Sequence, residues 1–400
     1  MATSRRRHLS TQILKELGMS KKMSATEAER EVIKFFGEDT IFFDGNISTR
    51  YDAISTGSPK LDEAIGIGGI PMGRITQLAG QESSGKTMLA LSCIKSYLDQ
   101  NPENTALFID AEYTYDPEWA KSQGIDISRV MVIKTNDAKA IFQGLIGITS
   151  VNSNTKKVSK KMKGILDHII EGVDPRFKDL GIIVLDSIAV LNTPLEIAAD
   201  IGKANMAPIP RFLSTELKKL TPVVAQANVA FVGINQVRVN LGQMFGDPTT
   251  SPGGKALKHA CSLMINMGTV FGSDSVIKND SGEKIGHTVR AKIQKNKVGA
   301  PFRQAEYKVK YTKGIVNANE EIFDLAVKYG LIHRPTNQSY LVNDEKIRGR
   351  DNAIRTFSSD PSIVASYDQK IRSIYLGDEE PVANIEDITE ESNPLIDAIE

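Results

Sequence analysis

The chain has 400 residues, 40% hydrophobic and 24% charged, which fits an ordinary soluble globular protein with a substantial core. No apolar run is long enough to span a bilayer, and the Arg5-Arg6-Arg7 start lacks a following apolar stretch, so neither a membrane protein nor a secreted precursor is favoured. The formal charge of zero hides an asymmetry: nine of the 49 acidic residues lie in 377–400, which has no lysine or arginine, so the rest of the chain is basic by nine charges.

In chain order, residues 1–22 are polar and basic and read as a mobile arm. Ala25 to Phe36 has helical spacing, and Ile41 to Phe43 suits an isolated strand, docked on another subunit or on its own core. Arg74 to Ala79 reads as a short buried strand and Met88 to Tyr97 as an apolar helix. Four near-continuous apolar runs follow: "ALFIDAE" (106–112), "VMVIK" (130–134), "GIIVLDS" (181–187) and "VAFVGINQ" (229–236). Strands covered on both faces look like this, so the fold class is α/β with a largely parallel sheet. The lysine-rich 152–164 reads as a solvated surface insertion or a DNA patch. After Gly314 a short amphipathic helix (Glu320 to Tyr329) and turn-rich basic sequence suggest a small separate C-terminal domain. Cys93 and Cys261 lie in apolar runs, too few for a four-cysteine zinc module, and point to a reducing, cytoplasmic compartment.

The stretch "GQESSGKT" carries the chemistry. Gly80, Gln81, Glu82, Ser83, Ser84, Gly85, Lys86 and Thr87, followed by Met88, match G-x-x-x-x-G-K-[ST] between a strand and a helix. Backbone N–H groups and the positive end of the helix surround phosphate oxygens, the lysine reaches the β and γ phosphates, and the threonine ligates Mg2+. A plain Gly-rich turn is the alternative, and it leaves Lys86 unexplained. Ligands of open α/β sheets sit at the carboxyl ends of strands. There Asp186 is placed to hold the hydrated magnesium, or else to cap a helix. One of Asp110 and Glu112 is placed to orient the attacking water, and the neutral amides Asn235 and Gln236 suit contact with a γ phosphate. A long loop follows, "VRVNLGQMFGDPTTSPGGKALKH", whose Gly253-Gly254-Lys255 suits a phosphodiester; such a loop couples nucleotide state to a second ligand.

Over roughly residues 36–376 the chain resembles the bacterial RecA-type recombinases, which polymerise on single-stranded DNA with ATP and exchange strands between homologous duplexes. The resemblance rests on "AISTGSPKLDEAIGIGGIPMGRI", "GQESSGKT", "FIDAEYTYDPEWA", "VLDSIAVL", "INQVRVNLGQMFGDPTTSPGGKALK" and "KNKVGAPFRQAEYKVKY", in family order. It implies a RecA-like ATPase core over 51–314, preceded by a polymerisation arm (1–50) and followed by a DNA-binding domain (315–376) and an acidic disordered tail (377–400). It further implies that Glu112 activates water, Gln236 senses the γ phosphate, Asp116 and Trp119 contact adenine, and Lys295 and Lys297 reach the ATP of a neighbouring protomer. Met206, Arg211, Ser214 and Lys218, in and after a first loop, and Arg238, Val239, Leu241, Gly253, Gly254 and Lys255, in a second, are the implied DNA contacts. Lys346, Arg348, Arg350 and Arg355 resemble the duplex-capturing surface, with the acidic tail as its competitor. Pro208 and Pro210 stiffen the first loop, and Lys255 and His259 stand where the family usually has an amide and an aromatic. ATP, Mg2+, single- and double-stranded DNA, further copies of the chain, and single-strand-binding and mediator proteins are the implied cofactors and partners, in a cell's cytoplasm or, for a viral source, the host's. The alternatives are a ring-forming helicase or regulatory ATPase, and a DNA-coating or annealing protein with minor hydrolysis.

Overall fold

The computed structural model describes residues 51–151, 158–199, 208–239, 249–250, 252–272 and 275–379. The expectations for 1–50, for Met206 and Leu241, and for the tail from 380 lie outside the described residues. The compact unit described begins at Asp52.

Six parallel strands form its centre: β1 (Ile75–Gly80), β2 (Thr105–Asp110), β3 (Val130–Lys134), β4 (Leu180–Asp186), β5 (Ala230–Gln236) and β6 (Leu263–Thr269), in the spatial order β6-β1-β5-β4-β2-β3. Beside β6 the sheet turns antiparallel through β7 (Val276–Lys278), β8 (Lys284–Asn296), β9 (Gln304–Lys310) and β10 (Gly314–Ile315), giving ten strands among the described residues. Burial explains the change of character. Every residue of β1 and β4 is buried, as expected where helices cover both faces, whereas β8 alternates between buried and exposed positions.

The two-residue period of a strand sorts the central side chains into two cores. Leu78, Phe108, Val184, Val232 and Ile265 face one layer with helices α1 (Pro59–Ile65) and α2 (Lys86–Gln100). Ile75, Leu107, Ile109, Ile183, Leu185 and Phe231 face the other, with α4 (Ala138–Ile146), α5 (Ile165–Glu171) and α6 (Pro208–Gln226); α3 (Pro117–Ser122) lies between β2 and β3 in the chain. Pro208 and Pro210 fall in the first turn of α6 rather than in the first loop, where a missing N–H costs no helix bond. The lysine-rich insertion is a hairpin in which Ile148–Val151 pairs antiparallel with Val158–Met162; its tip, 152–157, lies outside the described residues.

After α7 (Gly254–Ala260) and the antiparallel wing, a third apolar cluster joins α8 (Ala318–Lys328), α9 (Arg350–Ser358), α10 (Pro361–Tyr375) and a hairpin of Ser339–Val342 with Glu345–Arg348. It is fastened to α1 through buried acids. Glu321 is fully buried and accepts hydrogen bonds from Ser58 Oγ (2.6 Å) and Lys60 N (3.0 Å), while Asp62 accepts from Thr56 N (2.8 Å) and lies 3.5 Å from Arg372. Burial pushes Glu321 up to about 7 and raises Asp62 as well, outweighing the hydrogen bonds that favour their charged forms.

An acid whose folded value lies above its unfolded one contributes stability that is full below the unfolded value and lost as pH rises through the folded one. Stability should therefore fall between about pH 4.5 and pH 8. Glu321→Gln, which stays neutral, should recover on the order of 2 kcal/mol at pH 8 and little at pH 4.5. Denaturant unfolding at the two pH values checks this, and an unchanged pH dependence contradicts it.

Candidate active site

Strand β1 delivers the chain into the phosphate loop at Gly80, which lies against β6 so closely that a Cβ there would stand 2.4 Å from the carbonyl oxygen of Met267. The loop closes at Gly85, whose left-handed φ of 86° sets the first turn of α2. Lys86, the first residue of that helix, is nearly buried and arches back so that Nζ donates to the carbonyl of Gln81 (2.6 Å). Burial lowers its pKa, with Asp186, Glu112 and Glu82 acting in the opposite direction. Thr87 Oγ1 donates to Asp186 Oδ2 (2.7 Å), so the two oxygens expected to face magnesium are already side by side.

Asp186 ends β4 and is buried. Burial pushes it up to about 6, helped by the charges of Glu112 and Asp110 and opposed by the Thr87 hydrogen bond and by Lys86. A buried carboxylate beside two other acids is short of positive charge. A hard divalent cation fits this donor set, which is a carboxylate and a hydroxyl. No group of three or more His, Cys, Asp or Glu positioned to hold a metal exists among the described residues. Thr87 and Asp186 would thus hold magnesium with phosphate and water oxygens completing its shell.

The structure separates Asp110 from Glu112. Asp110 is fully buried and its two oxygens accept from the backbone N–H groups of Thr114 and Tyr115, both at 3.0 Å, so it ties the turn after β2. Glu112 stands partly open beyond the strand end, with Oε1 accepting from Ser187 Oγ and, at 3.4 Å, from Gln236 Nε2. Asn235 is buried and donates Nδ2 to the carbonyl of Pro252 (2.8 Å), which fastens the end of the second loop to β5.

Asp116 caps α3, accepting from Glu118 N (2.9 Å) and Trp119 N (3.2 Å). The half-buried Trp119 donates Nε1 to the carbonyl of Tyr311 (2.7 Å). Tyr311 therefore stands beside Trp119 although 192 residues separate them, and no local signal marks it.

Lys295 and Lys297, at the end of β8, do not approach the phosphate loop of their own chain. Lys295 Nζ donates to the carbonyls of Lys258 and His259, and Lys297 Nζ to that of His259 (3.3 Å), so both hold the last turn of α7. Burial lowers the pKa of Lys295, and the charge of Lys297 adds to the effect.

Among the expected DNA contacts, Arg211, Ser214 and Lys218 recur on one face of α6, with Arg211 and Lys218 exposed and neither ion-paired among the described residues. Arg238 and Val239 pair with Thr249 and Thr250 at the base of the second loop. Gly253 caps α7, and Gly254 and the exposed Lys255 open it, so the loop's end is a helix start and not extended chain. Arg350 is not an open cation: it is bound to Glu320 (2.9 Å) and to both oxygens of Asp324 (2.8 and 3.0 Å).

A mostly parallel sheet, a phosphate loop on its central strand, and a buried carboxylate at the end of β4 define an α/β phosphate-loop ATPase. The family model described as the RecA N-terminal domain matches residues 23–316, and the chain belongs to that family. Proteins of the RecA family are ATPases that use ATP and Mg2+, bind DNA and form oligomers. No helix among the described residues is long and apolar enough to cross a membrane.

The two acids at the carboxyl end of β2 should respond differently to substitution. Asp110→Ala removes the acceptor of two part-buried backbone N–H groups and should cost about 1–3 kcal/mol of stability. Glu112→Gln should leave the unfolding midpoint nearly unchanged while reducing ATP turnover at least about 100-fold. Parallel unfolding and turnover measurements check the pair, and equal stability losses contradict the division of roles.

Proposed function

We propose that the protein is an ATP-dependent recombinase that assembles as a helical filament on single-stranded DNA and catalyses homologous pairing and strand exchange. The observation that carries this reading is where the sheet register puts Lys295. Lys295 lies opposite Met264 on β6, and Met264 opposite Gln77 on β1, whereas Gly80 lies three residues further on, opposite Met267. At about 3.3 Å per residue and about 4.8 Å per strand, the backbone of Lys295 is roughly 14 Å from that of Gly80, towards the far edge of the sheet. A lysine held there on α7 supports a role towards a different chain's nucleotide. Membership of an oligomer-forming family agrees with that role.

In this reading Lys86 and the N–H groups of residues 81–85 bind the β and γ phosphates, with Trp119, Asp116 and Tyr311 around the adenine. Magnesium, when bound, neutralises charge between the phosphates, and Thr87 and Asp186 keep it there. Glu112 takes the proton of the attacking water and Gln236 contacts the γ phosphate. Lys295 and Lys297 of the adjoining protomer complete the pocket, a kind of contribution that is typically about 10³–10⁵ in rate. Lys297 and Lys295 hold the last turn of the helix that Gly253 caps and that Gly254 and Lys255 open, which supports coupling between DNA at one end of α7 and the catalytic cations at the other. The backbone-gripping residues Arg211, Ser214, Lys218, Arg238 and Lys255 make DNA binding tolerant of sequence and weakened by salt. Homology is then read by base pairing. Duplex capture falls to Lys346, Arg348 and Arg355 rather than to Arg350, with the acidic tail in competition.

Lys86→Ala should abolish ATP turnover. Lys297→Ala should lower DNA-stimulated turnover at least about 100-fold while changing ATP affinity less than about threefold. Turnover per protomer in the wild type should rise with protein concentration and with single-stranded DNA; a rate independent of both contradicts the reading.

A further inference from the structure

We propose that Ser187 is a positioning residue for ATP hydrolysis, holding the carboxylate of Glu112 while Gln236 turns to the nucleotide. The inference rests on the reading of Glu112 as the group that activates water. Asp110 and Asp186, the last residues of β2 and β4, are register partners on adjacent parallel strands. Beyond them the backbone of Glu112 is pinned to the residue before the serine, because the N–H groups of Ala111 (2.7 Å) and Glu112 (3.2 Å) both donate to the carbonyl of Asp186. The side chain is then caught from the other side. Ser187, fully buried, donates its hydroxyl to Glu112 Oε1.

The two donors to Oε1 are unequal. The contact from Gln236 Nε2 is long, at 3.4 Å, and comes from a side chain partly open to solvent, whereas the serine hydroxyl is enclosed. No described residue donates to Oε2. When Gln236 leaves Oε1 for a γ phosphate, Ser187 alone fixes the rotation of the carboxylate and keeps Oε2 directed at the water. In the step itself the water oxygen bonds to the γ phosphorus and the bond from that phosphorus to the bridging oxygen breaks, its electron pair leaving on ADP. The water proton passes to Oε2 of Glu112. Ser187 keeps its own proton throughout and touches neither water nor phosphate. Its contribution is orientation, so it should act on the chemical step and not on nucleotide binding.

The test uses the full chain with single-stranded DNA. Ser187→Ala should lower kcat about 10- to 100-fold while the Kd for Mg-ATP and filament assembly change less than about threefold. Ser187→Thr should restore most of the rate. In a Glu112→Gln background Ser187→Ala should add no further loss, because nothing remains for the hydroxyl to orient. Should Ser187→Ala disturb folding, Ser187→Cys, a weaker donor of similar size, should show the same split between kcat and Kd. Equal losses of rate in both backgrounds, or a loss of Mg-ATP affinity matching the loss of rate, overturn the proposal. Full turnover by Glu112→Gln alone marks a different failure, that of Glu112 as the activating group.

Discussion

Hydrogen-bond register across β1, β6 and β8 is the constraint from which the rest follows. It places the phosphate loop at the carboxyl end of β1, where Gly80 faces Met267, and places Lys295 at the level of Gln77, on the way to the opposite edge. Backbone ladders do not slip by three residues without exposing buried strand faces, so the separation is fixed by the same burial that stabilises the sheet. A lysine ammonium reaches roughly 6 Å from its backbone, short of what is needed inside one chain. That separation supports the proposed role of Lys295 towards a neighbouring copy of the chain, in which one protomer would accept cations and the next would donate them, a head-to-tail contact.

The site around the phosphate loop gathers more acids than bases. Asp186 and Glu112 converge with Lys86 where β2, β4 and the phosphate loop meet, and the buried Asp186 is raised by desolvation and by its acidic neighbours. Burial lowers the pKa of Lys86, while the charges of Asp186, Glu112 and Glu82 act to raise it. Adding the negative charge of a triphosphate to such a site requires further cations, and magnesium supplies some of them. Lysines of a second protomer are the proposed source of the rest. In that proposal one shortage of positive charge accounts for both the metal and the neighbouring lysines.

Much of the central sheet was legible because burial on both faces writes strands as unbroken apolar runs, as in "GIIVLD" and "AFVGIN". The antiparallel wing was not, since β8 and β9 alternate exposed and buried residues and read as ordinary polar sequence. The phosphate loop was legible because its chemistry is local. Strand and spacing left Asp110 and Glu112 open, and only the family resemblance singled out Glu112; the physical reason lies in the turn to Thr114 and Tyr115, which occupies both oxygens of Asp110. Nothing in the sequence singles out Ser187, whose place beside Glu112 is set by the meeting of two strand ends 75 residues apart. Tyr311 beside Trp119, Asn235 on Pro252, and the pairing of Arg350 with Asp324 are tertiary facts with no spacing to announce them.

Mixing two inactive variants tests the shared pocket most directly. Lys86→Ala lacks a working phosphate loop and Lys297→Ala lacks a cation to donate. In a one-to-one co-assembly on single-stranded DNA, random neighbours place an intact loop against intact lysines at about a quarter of the interfaces. A pocket shared between protomers predicts that ATP turnover, negligible for either variant alone, returns in the mixture to about a quarter of the wild-type rate. A mixture as inactive as its components contradicts it.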